Sequence, residues 1–135
     1  MTLTAQEPPP TAPCSRRVLV VEDDHALRGA VVELLEDNGY TPVEASNGAE
    51  ALQALRTVVP YPCLILLDVM MPVMDGYQFR DEQMKDPALR GIPVLVVTAH
   101  ASVTAESIAS ATVLRKPLDL DALLAIIARY CGPAT

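Results

Sequence analysis

Five polar side chains of complementary chemistry follow short apolar runs in this sequence. Glu22 and Asp23 follow Val18–Val21, Asp68 follows Leu64–Leu67, Thr98 follows Pro93–Val97, and Lys116 follows Val113–Arg115. Crowded carboxylates repel one another, and a hard divalent cation such as Mg²⁺ relieves that repulsion through oxygen coordination. A carboxylate beside such an ion can act as a nucleophile, while an amine and a hydroxyl stabilise charge on transferring oxygens. This set of residue types predicts phosphoryl transfer to a carboxylate.

The apolar runs are short, rich in β-branched residues and separated by helical patterns, which is typical of buried parallel strands. A further strand is predicted over Thr41–Glu44. Five predicted helices follow the strands: one capped by Asp24 and stopped at Gly39, one opened by Asn47 and ended before Pro60, and others over Tyr77–Met84, Ser102–Ala109 and beyond the cap Asp119. The alternation predicts an α/β fold with a doubly wound five-stranded parallel sheet. Ligands of such sheets bind outside the carboxyl ends of the strands, where the five polar residues fall.

Length and composition indicate one globular domain over residues 16–133, preceded by a Pro-rich, disordered tail over residues 1–15. The formal net charge of −7 argues against a nucleic-acid partner, which requires clustered Lys and Arg. No apolar stretch approaches the roughly 18 residues that span a bilayer, and the N-terminus lacks the pattern of a signal peptide. We therefore expect a cytoplasmic protein without membrane association.

The three cysteines, Cys14, Cys63 and Cys131, are odd in number and lack metal-ligand spacing. Cys63 lies in an apolar run, so we predict that it is a buried, small hydrophobic residue rather than a reactive thiol.

The chain from about Arg17 to Tyr130 resembles the response-regulator receiver family, in the single-domain layout of the chemotaxis regulators. The matching stretches are Val20-Val21-Glu22-Asp23-Asp24, Asp68-Val69-Met70-Met71-Pro72, Met74-Asp75-Gly76, Val97-Thr98-Ala99 and Lys116-Pro117. The resemblance implies a flavodoxin-like strand order 2-1-3-4-5. It also implies two-component signalling, with Asp68 phosphorylated by a sensor histidine kinase or a phosphotransfer protein. No effector domain follows Thr135 in this sequence, so we expect output through contacts with a downstream effector protein.

Site roles follow from the resemblance position by position. Asp68 corresponds to the phosphoacceptor, Asp23 to a direct Mg²⁺ ligand, and Glu22 to a ligand that acts mostly through water. The backbone carbonyl of Met70 would complete the metal shell. Thr98 would bond a phosphoryl oxygen, and Lys116 would pair with Asp68 and then with the phosphoryl group. Such a protein promotes only its own phosphorylation and dephosphorylation, so it is not an ordinary enzyme.

The sequence departs from the family pattern in its switch region. The last strand lacks the aromatic residue that normally couples to the threonine, because Thr112-Val113-Leu114 stands there. Seventeen residues separate Thr98 from Lys116, about four fewer than the family pattern, or about one helical turn. We therefore predict a shortened or partly unwound fourth helix.

Two other functions remain open at this stage. The altered switch region would suit a phosphorylation-independent pseudo-receiver scaffold, although a scaffold has no need for the complete set of site residues. An Mg²⁺-dependent phosphohydrolase would also use an aspartate nucleophile, but such enzymes generally carry a second Asp two residues later. Met70 stands at that position and cannot act as an acid or base.

Overall fold

The computed structural model describes residues 16–108 and 112–135, which form a parallel sheet covered by helices on both faces. The strands are β1 (Arg17–Val21), β2 (Thr41–Ala45), β3 (Leu64–Asp68), β4 (Val94–Thr98) and β5 (Thr112–Arg115). The helices are α1 (His25–Asp37), α2 (Gly48–Thr57), α3 (Gly76–Lys85) and α4 (Leu120–Cys131). The sheet order is β2-β1-β3-β4-β5, which confirms the predicted fold class. The predicted tail over residues 1–15 lies outside the described residues.

Alternate residues of the central strands pack into two separate cores, as expected for strands that are covered on both sides. Leu19, Val21, Ile65 and Leu67 belong to one core, which α2 and α3 cover with residues such as Leu55 and Phe79. The intervening residues Val18, Val20, Leu64 and Leu66 belong to the other core, together with Val31 and Leu35 of α1 and Leu123 and Ile127 of α4. The three central strands β1, β3 and β4 are therefore held rigidly, and their carboxyl ends are fixed relative to one another.

Local side-chain contacts start the helices where the sequence predicts. The side chain of Asp24 accepts the backbone N–H groups of Ala26 and Leu27, and Asn47 and Asp119 cap α2 and α4 in the same way. Asp75 forms a reciprocal capping box with Gln78 at the start of α3. Gly39 has φ +85° directly after α1, so it supplies the left-handed residue that ends this helix.

The described residues contain four helices rather than five, because turns stand where the fourth helix was expected. This confirms the prediction that the fourth helix is shortened or partly unwound. Residues 101–108 form turns, so the predicted helix over Ser102–Ala109 is absent as far as residue 108; residue 109 lies outside the described chain. Thr104 and Ser107 exchange hydrogen bonds here: the backbone N–H of Thr104 donates to Ser107 Oγ (2.9 Å), and that of Ser107 to Thr104 Oγ1 (3.1 Å). This is the pattern of a capping box, but only turns follow it as far as residue 108.

The prediction that Cys63 is a simple buried hydrophobic residue is also wrong. Cys63 is half-buried and forms a disulfide with Cys131, with 5.5 Å between the two Cα atoms. The bond joins the residue before β3 to the last residue of α4. It therefore holds α4 against the sheet at the end opposite the acidic residues.

Within the described part of the chain, no helix is both long and apolar enough to cross a bilayer.

Candidate functional site

Three carboxylates meet at the carboxyl ends of β1 and β3. Val21 pairs with Leu67 in the parallel ladder, so the residues that follow these two strands emerge side by side. Glu22, Asp23 and Asp68 each offer a carboxylate oxygen, and the three oxygens lie within 4.8 Å of one another. Glu22 and Asp68 are only 5% and 6% exposed, whereas Asp23 is exposed. The structure thus brings together the three acidic residues that the sequence singled out.

The environment of Asp68 opposes its ionisation. Burial contributes most, and a hydrogen bond and charge repulsion from Glu22 add to it, which together raise the pKa of Asp68 from 3.8 to about 7. The Lys116 ammonium and the backbone N–H of Met70, which is 3.4 Å from Asp68 Oδ1, act in the opposite direction and lower this pKa. Asp68 therefore ionises less readily than an ordinary aspartate.

Lys116, the residue directly after β5, contacts both buried carboxylates. Its Nζ lies 3.1 Å from Glu22 Oε1 and 3.7 Å from Asp68 Oδ1. The first contact is a hydrogen-bonded ion pair, whereas the second is too long for a hydrogen bond. The resemblance implied that Lys116 pairs with Asp68, and in this structure the ammonium is shared between the two carboxylates and lies closer to Glu22. Its backbone is fixed by a bond from its N–H to the Thr98 carbonyl (2.9 Å).

Thr98 lies at the end of β4, beside the acid cluster. Asp68 pairs with Val97 in the ladder between β3 and β4, so Thr98 follows directly on the neighbouring strand. The Thr98 side chain is fully buried, and its Oγ1 accepts the backbone N–H of His100 (3.0 Å). The hydroxyl hydrogen remains available as a donor. His100 itself is exposed.

Met70 stands two residues beyond Asp68 with its side chain 54% exposed. It lies in the loop from β3 to α3, which the structure anchors at both ends. The backbone N–H of Met70 faces Asp68 Oδ1, and the N–H of Gly76 donates to the Val69 carbonyl (2.8 Å). A Cβ on Gly76 would lie 2.7 Å from Val69 Cα, so only glycine allows this close approach.

Sequence reasoning missed two arginines that hold the backbone around the site. Arg28 Nη1 donates to the Glu22 carbonyl (2.7 Å), and its Nε pairs with Glu44 (3.1 Å). Arg115 donates to the carbonyl oxygens of His100 and Ala101, so it binds the turn that follows Thr98. The position of Arg28 in the first turns of α1 gave only a weak signal, because its partner is a backbone atom. Arg115 belongs to a predicted strand, and its sequence context gave no sign that its side chain would bind the turn after Thr98.

The donor set fits a magnesium ion. Mg²⁺ prefers oxygen ligands and binds through one or two carboxylates while it keeps several waters. The cluster supplies three carboxylates, one of them exposed to solvent, and a bound cation would offset the burial and the charge repulsion that raise the pKa of Asp68. Glu22, Asp23 and Asp68 are thus the residues that could hold the ion.

Comparison with known proteins agrees with this arrangement. The family model of the response regulator receiver domain matches residues 18–128. The phosphate regulon transcriptional regulatory protein PhoB of Escherichia coli (strain K12) is 44% identical over 86 residues, which cover 64% of this chain and 37% of PhoB. This chain thus spans little more than a third of that relative.

Solved structures show the same fold. One is the receiver domain of sensor histidine kinase PA1611 from Pseudomonas aeruginosa PAO1, which was determined with a magnesium ion in its active site cleft. It is 26% identical to this chain with a TM-score of 0.77, and the match covers 86% of this chain and 97% of that one. Chemotaxis protein CheY4 of Vibrio cholerae is 29% identical with a TM-score of 0.76, covering 84% and 97%. With its fold, its acid cluster and a family match over most of its length, this chain belongs to the response regulator receiver domain family.

Proposed function

We propose that this chain is a phosphoryl-accepting response regulator of a two-component system, phosphorylated on Asp68 with Mg²⁺ and acting through protein–protein contacts. One observation carries the proposal. Asp68 is a buried carboxyl at the end of the central strand, with two further carboxylates within 4.8 Å and an ammonium at 3.7 Å. Receiver domains are signalling modules rather than classical enzymes, and we assign this chain only the promotion of its own phosphorylation and dephosphorylation.

The chemistry requires an Asp68 oxygen to attack phosphorus. A new O–P bond forms, the bond between phosphorus and the donor's imidazole nitrogen breaks, and the donor keeps that electron pair. Glu22, Asp23, Asp68 and the Met70 carbonyl would hold Mg²⁺, which when bound offsets the charge of the carboxylates and of the phosphoryl oxygens. Lys116 would move from Glu22 to a phosphoryl oxygen, and Thr98 would donate its hydroxyl hydrogen to another.

The partners that suit this chemistry are proteins. A sensor histidine kinase or a phosphotransfer protein would supply the phosphoryl group, and a downstream effector protein would receive the signal. The net charge of −7 disfavours direct contact with nucleic acid. We place the receiver domain over residues 16–133, with residues 1–15 as a separate tail, and we place the protein in the cytoplasm.

The second candidate is a pseudo-receiver scaffold that binds partners without phosphorylation. Two observations favour it: β5 carries Val113 in place of an aromatic residue, and turns replace a helix over residues 101–108. The intact acid cluster and the Lys116 contacts favour the receiver instead.

Intact-mass analysis separates the two candidates. The protein is incubated with acetyl phosphate, with and without Mg²⁺, beside the Asp68→Asn variant. A receiver gains a single Mg²⁺-dependent phosphoryl adduct that the variant lacks. If wild type remains unmodified by acetyl phosphate and by any phosphorylated histidine kinase, the scaffold is the better account.

A further inference from the structure

An apolar groove lies at the end of the sheet opposite the acid cluster. Its volume is about 400 Å³, and it is lined by residues from the last turn of α2 and from the connection to β3: Arg56, Val58, Val59, Pro60 and Tyr61. The side chain of Val59 is 81% exposed and that of Tyr61 is 45% exposed. Apolar side chains that are exposed together around a groove indicate a binding surface, whereas scattered ones are ordinary.

The chain enters the fold beside this groove. Arg17 is the first residue of β1, and its side chain lies on the same face of the sheet as that of Leu19, which belongs to the core under α2. The Arg17 guanidinium donates to the Pro60 carbonyl (3.3 Å), and the backbone N–H of Cys63 donates to the Arg17 carbonyl (2.9 Å). The start of β1 and the groove are therefore direct neighbours.

Contacts of Arg16 fix the point at which residues 1–15 join the fold. Arg16 has φ +57°, which is an uncommon, left-handed conformation for a residue other than glycine. Its Nε donates to the Gly39 carbonyl (3.0 Å) and its Nη2 to the Pro133 carbonyl (2.8 Å). Its own carbonyl accepts the N–H of Thr41 (2.8 Å). The preceding segment thus starts from a defined position at the amino end of the sheet.

The composition of residues 1–15 complements the groove. The segment contains Pro8-Pro9-Pro10, and Glu7 carries its only charged side chain. Pro-rich segments favour the extended polyproline II conformation, and proteins bind such segments in grooves lined by aromatic residues. Tyr61 is the aromatic residue of this groove, and Arg56 supplies a positive charge. Among the described residues, no acidic side chain lines the groove and none forms an ion pair with Arg56.

The tether between the prolines and β1 is short. Pro10 precedes Arg16 by six residues, which span about 19 Å at 3.1 Å per residue in polyproline II geometry. A short tether gives a segment an effective concentration in the millimolar range, so a contact with a Kd of about 1 mM is occupied about half of the time. A second copy or a separate Pro-rich protein with the same affinity must reach a millimolar concentration to compete. The segment of the same chain is therefore the favoured occupant.

We propose that Pro8-Pro9-Pro10 dock in the groove of the same molecule, with their rings against Val59 and Tyr61 and with Glu7 paired to Arg56. Residues 11–15 form the tether between the docked prolines and β1. The composition of residues 1–15 does not allow a core of their own, and the groove supplies the apolar partner that they lack. Docking covers the exposed side chains between α2 and β3, far from Asp68, so the inference does not depend on the proposed function.

Paramagnetic relaxation in the full chain tests this contact. A nitroxide is attached to Thr4→Cys in a Cys14→Ser background, which leaves the disulfide between Cys63 and Cys131 intact. We expect the nitroxide to broaden the amide signals of residues 56–59 in isotopically labelled protein. The variant Pro8→Gly/Pro9→Gly/Pro10→Gly keeps the tether length and should lower this relaxation enhancement about twofold or more. The matched control Thr11→Gly/Ala12→Gly changes only the tether and should retain it.

A charge exchange tests the proposed pair. Glu7→Arg and Arg56→Glu should each weaken the relaxation enhancement, and the two substitutions together should restore it. Failure of the double variant to restore it, no broadening of residues 56–59, or equal broadening in the triple glycine variant would each overturn the proposal. Broadening that disappears on dilution, or that a labelled copy produces on a second, isotopically labelled copy, would assign the groove to another molecule and would also overturn it.

Discussion

Replacing Asp68 with asparagine should stabilise the metal-free protein, and the gain should depend on pH. The pKa of Asp68 is raised from 3.8 to about 7 in the folded protein. The contribution of the protonated carboxyl to the free energy of unfolding is therefore fully present below pH 4 and is lost as the pH rises to 7. At 1.36 kcal/mol per tenfold change in the proton equilibrium, ionisation of the folded carboxyl costs about 4 kcal/mol above pH 7. Asparagine has a similar shape and no charge, so it avoids that cost.

The difference in unfolding free energy between Asp68→Asn and wild type should therefore be near zero at pH 4 and reach about 2 to 4 kcal/mol at pH 8, the lower value allowing for relaxation around the charge. Urea unfolding in EDTA, followed by far-UV circular dichroism because the chain lacks tryptophan, measures it. The exposed Asp81 on α3 gives the control Asp81→Asn, which should match wild type at every pH. A variant less stable than wild type at pH 8, or a gain that does not change with pH, would refute the electrostatic account of this pocket.

Three other perturbations test separate parts of the structure. Binding of Mg²⁺ must displace the proton of Asp68, so the affinity of the protein for Mg²⁺ should rise by up to about tenfold per pH unit below pH 7 and level off above it. Titration calorimetry at several pH values measures this affinity. An affinity that does not change with pH would exclude Asp68 as a ligand. Lys116→Met removes the ammonium that faces Glu22 and Asp68, so the pKa of Asp68 should rise further. Labelling by acetyl phosphate at pH 7 should slow at least about tenfold, with a smaller effect on the free energy of unfolding. Near-normal labelling would argue against the role assigned to Lys116. The double variant Cys63→Ala/Cys131→Ala opens a loop with a sequence separation of 68, so its free energy of unfolding should be about 4 kcal/mol lower than that of oxidised wild type. Reductant should lower the free energy of unfolding of wild type to the same value. Equal stability of the variant, oxidised wild type and reduced wild type would show that the disulfide does not constrain the unfolded chain.

The architecture was largely predictable because the apolar runs and the helix caps mark every strand and four helices. β-Branched runs such as Val18–Val21 allow few alternatives to a buried strand, and Asp24, Asn47 and Asp119 cap helices where expected. The carboxyl ends of parallel strands meet at one edge, so the clustering of Glu22, Asp23 and Asp68 followed from strand order alone.

The features that could not be predicted depend on contacts between residues distant in sequence. Cys63 and Cys131 meet because α4 runs back along β3, and three cysteines without spacing rules give no pairing. The short spacing between Thr98 and Lys116 predicted a shortened or partly unwound fourth helix, but it did not show that turns would replace the helix throughout residues 101–108. Lys116 lies 3.1 Å from Glu22 and 3.7 Å from Asp68, and no sequence motif predicts which carboxylate is the nearer.

The central claim is that Asp68, among all the acidic residues of the chain, accepts the phosphoryl group. The most direct measurement treats the phosphorylated protein with borohydride, which reduces an acyl phosphate to an alcohol, and then locates the change by peptide mass spectrometry. The account predicts homoserine at position 68 only, formed only when Mg²⁺ was present during phosphorylation. Homoserine at Asp23 or elsewhere, or a phosphoryl group that resists borohydride and remains on a serine, threonine or histidine, would contradict it.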